Sequence, residues 1–188
     1  MSELLNKYIK DCIRTESKLE TLKLNPEVVS QLFEIYENLG EILDGLKKHT
    51  FYNKGDKLSA QFAPRLEKIS SIANSLSKRP ISFILSKEDT DLNSRMFHGI
   101  LGIMTESSEL SQIWSKHMCG EGFDAVNVQE EMGDQNWYHS IINDELKLDP
   151  EETLHKNIRK LRKRFPEKYT DEAAEHRDLN AERAELER

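Results

Sequence analysis

The chain has 188 residues, of which 32% are charged and 7% aromatic, and it carries a formal net charge of −7. That length suits one domain, or one domain with an extension, and many charges with few aromatics suit helices with wide solvated faces rather than a β-sandwich. An acidic chain gains nothing from counterion release, which argues against a nucleic-acid duplex as partner, whereas a polyphosphate substrate stays compatible if metal ions neutralise part of its site.

Residues 2–23 place Leu4, Leu5, Tyr8, Ile9, Cys12 and Ile13 at three- and four-residue spacing, which predicts a first helix. Asn25-Pro26-Glu27 then supplies an N-cap, a proline at the first helical position and an acid in the first turn, opening a helix to about residue 49. Residues 52–56 read as a loop. A third helix is expected over 56–77, with Pro64 a candidate to shift its start. Lys78-Arg79-Pro80 marks a break, and 83–90 read as irregular. A long helix is expected over 91–117, ended by Gly120-Glu121-Gly122. Another follows over 124–145, and Asp149-Pro150-Glu151-Glu152 opens one that runs to Arg164 and stops at Pro166. Thr170-Asp171-Glu172 caps a polar tail. No strand-like alternation competes, so the fold class expected is all-α, an antiparallel helical bundle.

Cys12 and Cys119 stand outside any CxxC pair and read as free thiols of a reducing compartment. No apolar run approaches the ~20 residues of a membrane span, and MSELLNKYIK has no signal-peptide core, so no membrane partner and a cytoplasmic location are expected.

Two carboxylate pairs carry the chemistry. Glu106 and Glu109 lie three apart on the long helix, and Glu131 and Asp134 three apart on the next. Positions i and i+3 share a helix face, so two antiparallel helices can bring four acids together. Such a cluster repels itself and needs cations; oxygen-only ligands favour Mg²⁺, with Mn²⁺ as substitute, over zinc. Paired acids on a helix are also common as solvated faces. Here they border apolar runs, Ile100 to Met104 on one side and Trp137 to Ile142 on the other.

LGIMTESSEL, EEMGDQNWY and the basic segment NIRKLRKRF, in that order over roughly residues 95–188, resemble the MazG-like all-α nucleoside triphosphate pyrophosphohydrolases. Thr105 stands where the fuller family motif has a first glutamate, and Glu130 is a candidate replacement. The resemblance implies that Glu106, Glu109, Glu131 and Asp134 bind Mg²⁺ and that Asn157 and Lys160 reach the phosphates; Arg164, one helical turn on, is a candidate to add a fork. It implies cleavage of an NTP or dNTP between the α- and β-phosphates, giving NMP or dNMP and pyrophosphate. Glu106 or Glu109 would orient the water. It also implies a homo-oligomer, a dimer first of all. Tyr138, one turn after Asp134, and Trp114, five residues after Glu109, are candidates to stack on the base, with core packing as the competing reading for each. The rival function is a helical regulatory module that binds nucleotide and metal without efficient turnover.

The expected division is an N-terminal helical region over 1–90 and the MazG-like region over 91–188. A shift of 68 residues sets Glu41 on Glu109 and Ile35 on Ile103, a sparse internal repeat for which chance similarity of amphipathic helices is the alternative. On the repeat reading Glu106 falls on Asn38, Glu131 on Ala63 and Asp134 on Leu66, a copy without its metal ligands.

Overall fold

A computed structural model of the chain describes residues 3–52, 54–85 and 89–188. Ser2 of the first expected helix, Asn53 of the expected loop and residues 86–88 of the expected irregular stretch lie outside the described residues. Among the described residues the chain is all-helical, with no strand and one isolated bridge between Leu22 and Thr90. No described helix is long and apolar enough to cross a membrane.

The helices are α1 (Glu3–Arg14), α2 (Pro26–Tyr52), α3 (Asp56–Leu76), α4 (Ile81–Ile84), α5 (Ser94–Met118), α6 (Ala125–Glu145), α7 (Pro150–Arg164), α8 (Asp171–Glu175) and α9 (Leu179–Glu187). Their starts follow local chemistry. Side chains of Asn93, Asp124, Asp149, Thr170 and Asp178 each accept from a backbone N–H of the first turn of α5, α6, α7, α8 and α9. Gly120, at φ +95°, turns the chain out of α5 in the left-handed region that glycine enters without strain. Pro64 sits inside α3 and does not move its start, which falls at Asp56.

Two expectations differ. The first helix ends at Arg14 rather than near residue 23, because Thr15 turns back on Cys12: both its amide and its hydroxyl donate to that carbonyl, at 2.9 and 2.8 Å. Within the expected break and irregular stretch, residues 81–84 form the single turn α4, whose Ile84 carbonyl accepts from Asn25 N at 2.9 Å.

The chain divides into two compact units: the described residues up to Glu20 together with Leu92–Arg188, and Thr21–Asp91. The first helix thus groups with the C-terminal half rather than with the rest of residues 1–90. In that unit α1 packs on α6, where Tyr8 Oη donates to the Gly133 carbonyl at 3.3 Å and Trp137 Nε1 donates to Thr15 Oγ1 at 3.0 Å. Arg95 ties the following segment down. Its guanidinium donates to both oxygens of Glu16, at 2.8 and 2.7 Å, and reaches Asp144 at 2.7 Å and Glu145 at 2.9 Å. The Glu16 side chain is only 1% exposed, so its charge is matched by hydrogen bonds where water does not reach.

The frame of this unit is the antiparallel pair α5–α6. Gly99 faces Ile142, Gly102 faces Tyr138 and Ser107 meets Gln135, so numbers rise on one helix as they fall on the other. The approach is close enough to exclude any larger residue: a Cβ on Gly102 would lie 2.1 Å from the Tyr138 ring, and one on Gly99 2.6 Å from Ile142. In the second unit α2 and α3 form another antiparallel pair, Gly45 against Leu58 and Asn38 against Arg65. Under the 68-residue shift the Asn38–Arg65 pairing falls on 106 and 133, within a turn of the α5–α6 register.

These contacts give opposite signs for one substitution. Alanine favours a helix over glycine by about 1 kcal/mol. At Gly133 on α6 nothing lies within 4 Å, so Gly133→Ala should stabilise by up to about 1 kcal/mol. At Gly102 the clash dominates, and Gly102→Ala should destabilise by roughly 1–3 kcal/mol. Denaturant unfolding of the two variants beside the parent measures both; equal signs would contradict the close approach.

Candidate metal centre

One turn along α5 from Gly102, the close packing sets Glu106 against α6. Glu106 and Glu131 are buried, 8% and 4% exposed, and Glu109 is exposed. One carboxylate oxygen from each lies within 4.8 Å of the others, a three-glutamate group that could hold a metal ion. Two carboxylates from α5 and one from α6 therefore converge across the helix pair.

Crowding of these groups disfavours the charged form of Glu131. The Glu131 carboxyl is hydrogen-bonded to Glu106, is buried, and lies in the field of Glu109, Glu106 and Glu130; together these push it up to about 7. Thr105, at the place of the family's first glutamate, contributes a hydroxyl whose oxygen lies 2.8 Å from the Gly102 carbonyl and 3.3 Å from Glu106 Oε1.

Two residues the sequence reading missed border the group. With its amide nitrogen turned toward the acids, Asn127 donates to Glu131 Oε1 and Glu130 Oε2, both at 3.2 Å. Gln135 Nε2 donates to Ser107 Oγ at 3.4 Å across the helices. Both stand one turn from Glu131, at i−4 and i+4, and that spacing was the available signal. Glu130, weighed as a replacement acid, is exposed and shares Asn127 with Glu131.

The other expected residues are placed elsewhere. Asp134 is exposed and not a member of the three-acid group; its charge bears on the phenols of Tyr8 and Tyr138. The Tyr138 ring lies on α5 at Gly102, edge-on to His98 and Trp137. Burial, then the charges of Glu106, Asp134 and Glu109, raise its phenol above the ordinary range. Trp114 is exposed and packs with His117 and Phe123, its ring centroid 5.3 and 6.3 Å from theirs. On α7, Asn157 is exposed and Lys160 half-buried. Arg164 is committed to Glu182 of α9 through Nε at 2.8 Å and through Nη2. Arg177 completes that pairing at 3.2 and 2.7 Å, and the two guanidiniums hold the buried Glu182 carboxyl at about 2.

In the α2–α3 pair, the place that the 68-residue shift would set on the acidic group holds an internal cation. Arg65 donates to Asn38 Oδ1 at 3.1 Å and to Glu41 Oε2 at 3.4 Å, the residues set on Glu106 and Glu109 by the 68-residue shift. Comparison of the chain with protein-family models, with curated proteins and with solved structures finds no match.

The raised proton affinity of Glu131 has a thermodynamic signature. Its folded pKa lies above the ordinary value of 4.5, so the folded state binds the proton more tightly and this contribution to stability is present at low pH. It is lost as pH rises from about 4.5 through about 7. Melting of the metal-free protein across that window should show a decline that Glu131→Gln removes. Parallel profiles for the two proteins would show that the proton is not shared there.

Proposed function

We propose that the chain is a Mg²⁺-dependent nucleoside triphosphate pyrophosphohydrolase of the MazG-like kind, built on the α5–α6 pair. The observation that carries this reading is the convergence of Glu106, Glu109 and Glu131 on one point, where crowding of like charges raises the proton affinity of Glu131. An all-oxygen set of like charges fits a hard divalent cation, which would compete with a proton there. Glu106, Glu109 and Glu131 would hold it, with Asp134 entering by a side-chain rotation. Bound there, Mg²⁺ would supply charge neutralisation to the phosphate oxygens.

The protein's own groups divide the remaining work. Glu131 and Glu106 are buried and fix the geometry, and Asn127 orients Glu131 by its amide. Glu109, the exposed member, is the carboxylate that water reaches, and it is the base in this proposal. Water forms a bond to phosphorus, the bridging P–O bond between the α- and β-phosphates breaks, pyrophosphate leaves with the bond's electron pair, and Glu109 takes the water's proton. Lys160 and Asn157 are the phosphate contacts implied by the resemblance. Arg164 acts by bracing α7 on α9, since its donors are engaged by Glu182. Tyr138 contributes by seating α6 on α5, and Trp114, exposed beyond Glu109, is the remaining aromatic for a base.

A second reading has its own support. Asp134 stands outside the group and Arg164 is occupied, which favours a module that binds nucleotide and metal without turnover. Incubation of the full chain with each NTP and dNTP plus Mg²⁺ separates the two. The enzyme releases pyrophosphate and not orthophosphate, and the module is stabilised by nucleotide and metal with no product. For the enzyme, Glu109→Gln and Glu131→Gln should each lower turnover by on the order of 100-fold or more with helical content unchanged. Asp134→Asn should do the same if the fourth acid joins the loaded site, and unchanged turnover there would confine the site to the three glutamates. Mg²⁺ should raise the melting temperature of the parent and not of Glu131→Gln.

A further inference from the structure

A groove lies where α1 meets α6, and Pro150 at the start of α7 also lines it. Its volume is about 460 Å³, within the ~300–1,000 Å³ of small-molecule sites. It is on the far side of α6 from the three glutamates: at about 100° per residue, its lining residues Gly133, Asn136 and Ser140 are turned about 140–200° from Glu131. α1 contributes Leu4, Leu5 and Ile9, and α6 contributes Asn136, His139, Ser140 and Asn143. Apolar groups thus come from one helix and most polar groups from the other.

Three observations specify what fits there. The first is charge. In a chain that is 32% charged, none of the described residues lining the groove is Asp, Glu, Lys or Arg. The one charge that bears on it is that of Asp134, which acts on the Tyr8 phenol and is negative. An anion entering here would lose its hydration and find no counter-charge. The second is the state of the polar groups. Tyr8 Oη donates to the Gly133 carbonyl at 3.3 Å, Asn136 Nδ2 to the Met132 carbonyl at 2.9 Å and Ser140 Oγ to the Asn136 carbonyl at 2.9 Å. Each has placed a hydrogen on the α6 backbone, and each keeps an oxygen able to accept. The third is Gly133. Glycine weakens a helix interior, and at Gly99 and Gly102 the close approach of α6 explains it. At Gly133 a Cβ would meet nothing within 4 Å, so packing does not explain it, and the missing side chain leaves open space in the groove.

We propose that this groove binds an uncharged small molecule with an apolar body and a hydroxyl or amino group that donates hydrogen bonds, at a site separate from the acidic centre. The apolar body lies along Leu4, Leu5 and Ile9, and the donor meets the oxygens of Tyr8 and Asn136. This site does not depend on the function proposed for the α5–α6 pair.

Amide correlation spectra of the full chain test this, with a chelator present so that no cation occupies the acidic group. The probes are phenethyl alcohol, its methyl ether and phenylacetate, which share one body and differ in donor and charge. The alcohol should shift amides of α1 and of residues 133–143, with a dissociation constant on the order of 1–10 mM. The ether leaves the oxygens unpaired and the carboxylate brings a charge, so each should bind about tenfold more weakly or worse. Gly133→Leu fills the groove without a clash and should abolish binding with helical content unchanged. Asn136→Ala, at an exposed position, leaves the groove open and should weaken the alcohol by about tenfold; it decides the matter if the leucine variant loses helix. An alcohol that leaves the groove amides of the parent unmoved overturns the proposal. So does an ether or phenylacetate that binds as well as the alcohol, or binding that is unchanged in a helical Gly133→Leu protein or in Asn136→Ala.

Discussion

The contact on which the rest of the C-terminal unit depends is the approach of α5 to α6 at Gly99 and Gly102. Glycine is a poor helix former, and two of them within one turn cost α5 about 2 kcal/mol relative to alanine. The return is distance. With no Cβ in the way, the Tyr138 ring and Ile142 lie directly on the α5 backbone. The next inward turn of α5 then delivers Glu106 to Glu131. A wider helix pair, held apart by ordinary side chains, would leave the acids to water and their charges to screening. Here they are close and partly dry, and their crowding raises the proton affinity of Glu131.

How much of this is legible in the sequence depends on which rotation a residue's role requires. Helix starts are local, and Asp149 and Thr170 announce them with side chains that reach only their own first turn, whereas the Asn93 cap sets the start of α5 three residues later than the expected 91. The meeting of Glu106 with Glu131 is one step harder and still readable, since both border apolar runs. The fate of Asp134 is not readable. It stands about 60° around α6 from Glu131, and whether such a residue faces α5 or open solvent is decided by the depth and angle of helix packing rather than by spacing. The same holds for Tyr138, whose seat requires a glycine on another helix. Arg164 shows a further limit: a basic helix face announces charge, but not that an acid 18 residues later closes on it. The early end of α1 turns on one hydroxyl, that of Thr15, which bonds back to Cys12 and also accepts from Trp137.

The two helix pairs offer a comparison inside one chain. Where α5–α6 gathers three carboxylates that could hold a cation, α2–α3 sets Asn38 and Glu41 around the guanidinium of Arg65. A tethered arginine is permanently charged and its position is fixed by the fold. The α2–α3 place is thereby neutral with no metal, and it costs nothing to leave unloaded. The contrast is one of charge: the α2–α3 place carries its counter-charge in the chain, and the three glutamates of α5–α6 do not.

The bridge between Leu22 and Thr90 sits where the chain enters and leaves the unit formed by Thr21–Asp91. That unit is an insertion, interrupting a fold that begins with α1 and resumes at α5. Glu16 and Arg95, which must find each other, are 79 residues apart. Were the intervening chain a free coil, closing that loop would carry the full entropy of its length. Once Thr90 N has bonded to the Leu22 carbonyl at 2.9 Å, the loop that remains is only about a dozen residues long. The logarithmic dependence of closure entropy on loop length makes the difference roughly 1–2 kcal/mol. The bridge therefore lowers the entropy cost of bringing Glu16 and Arg95 together, although they are far apart in sequence.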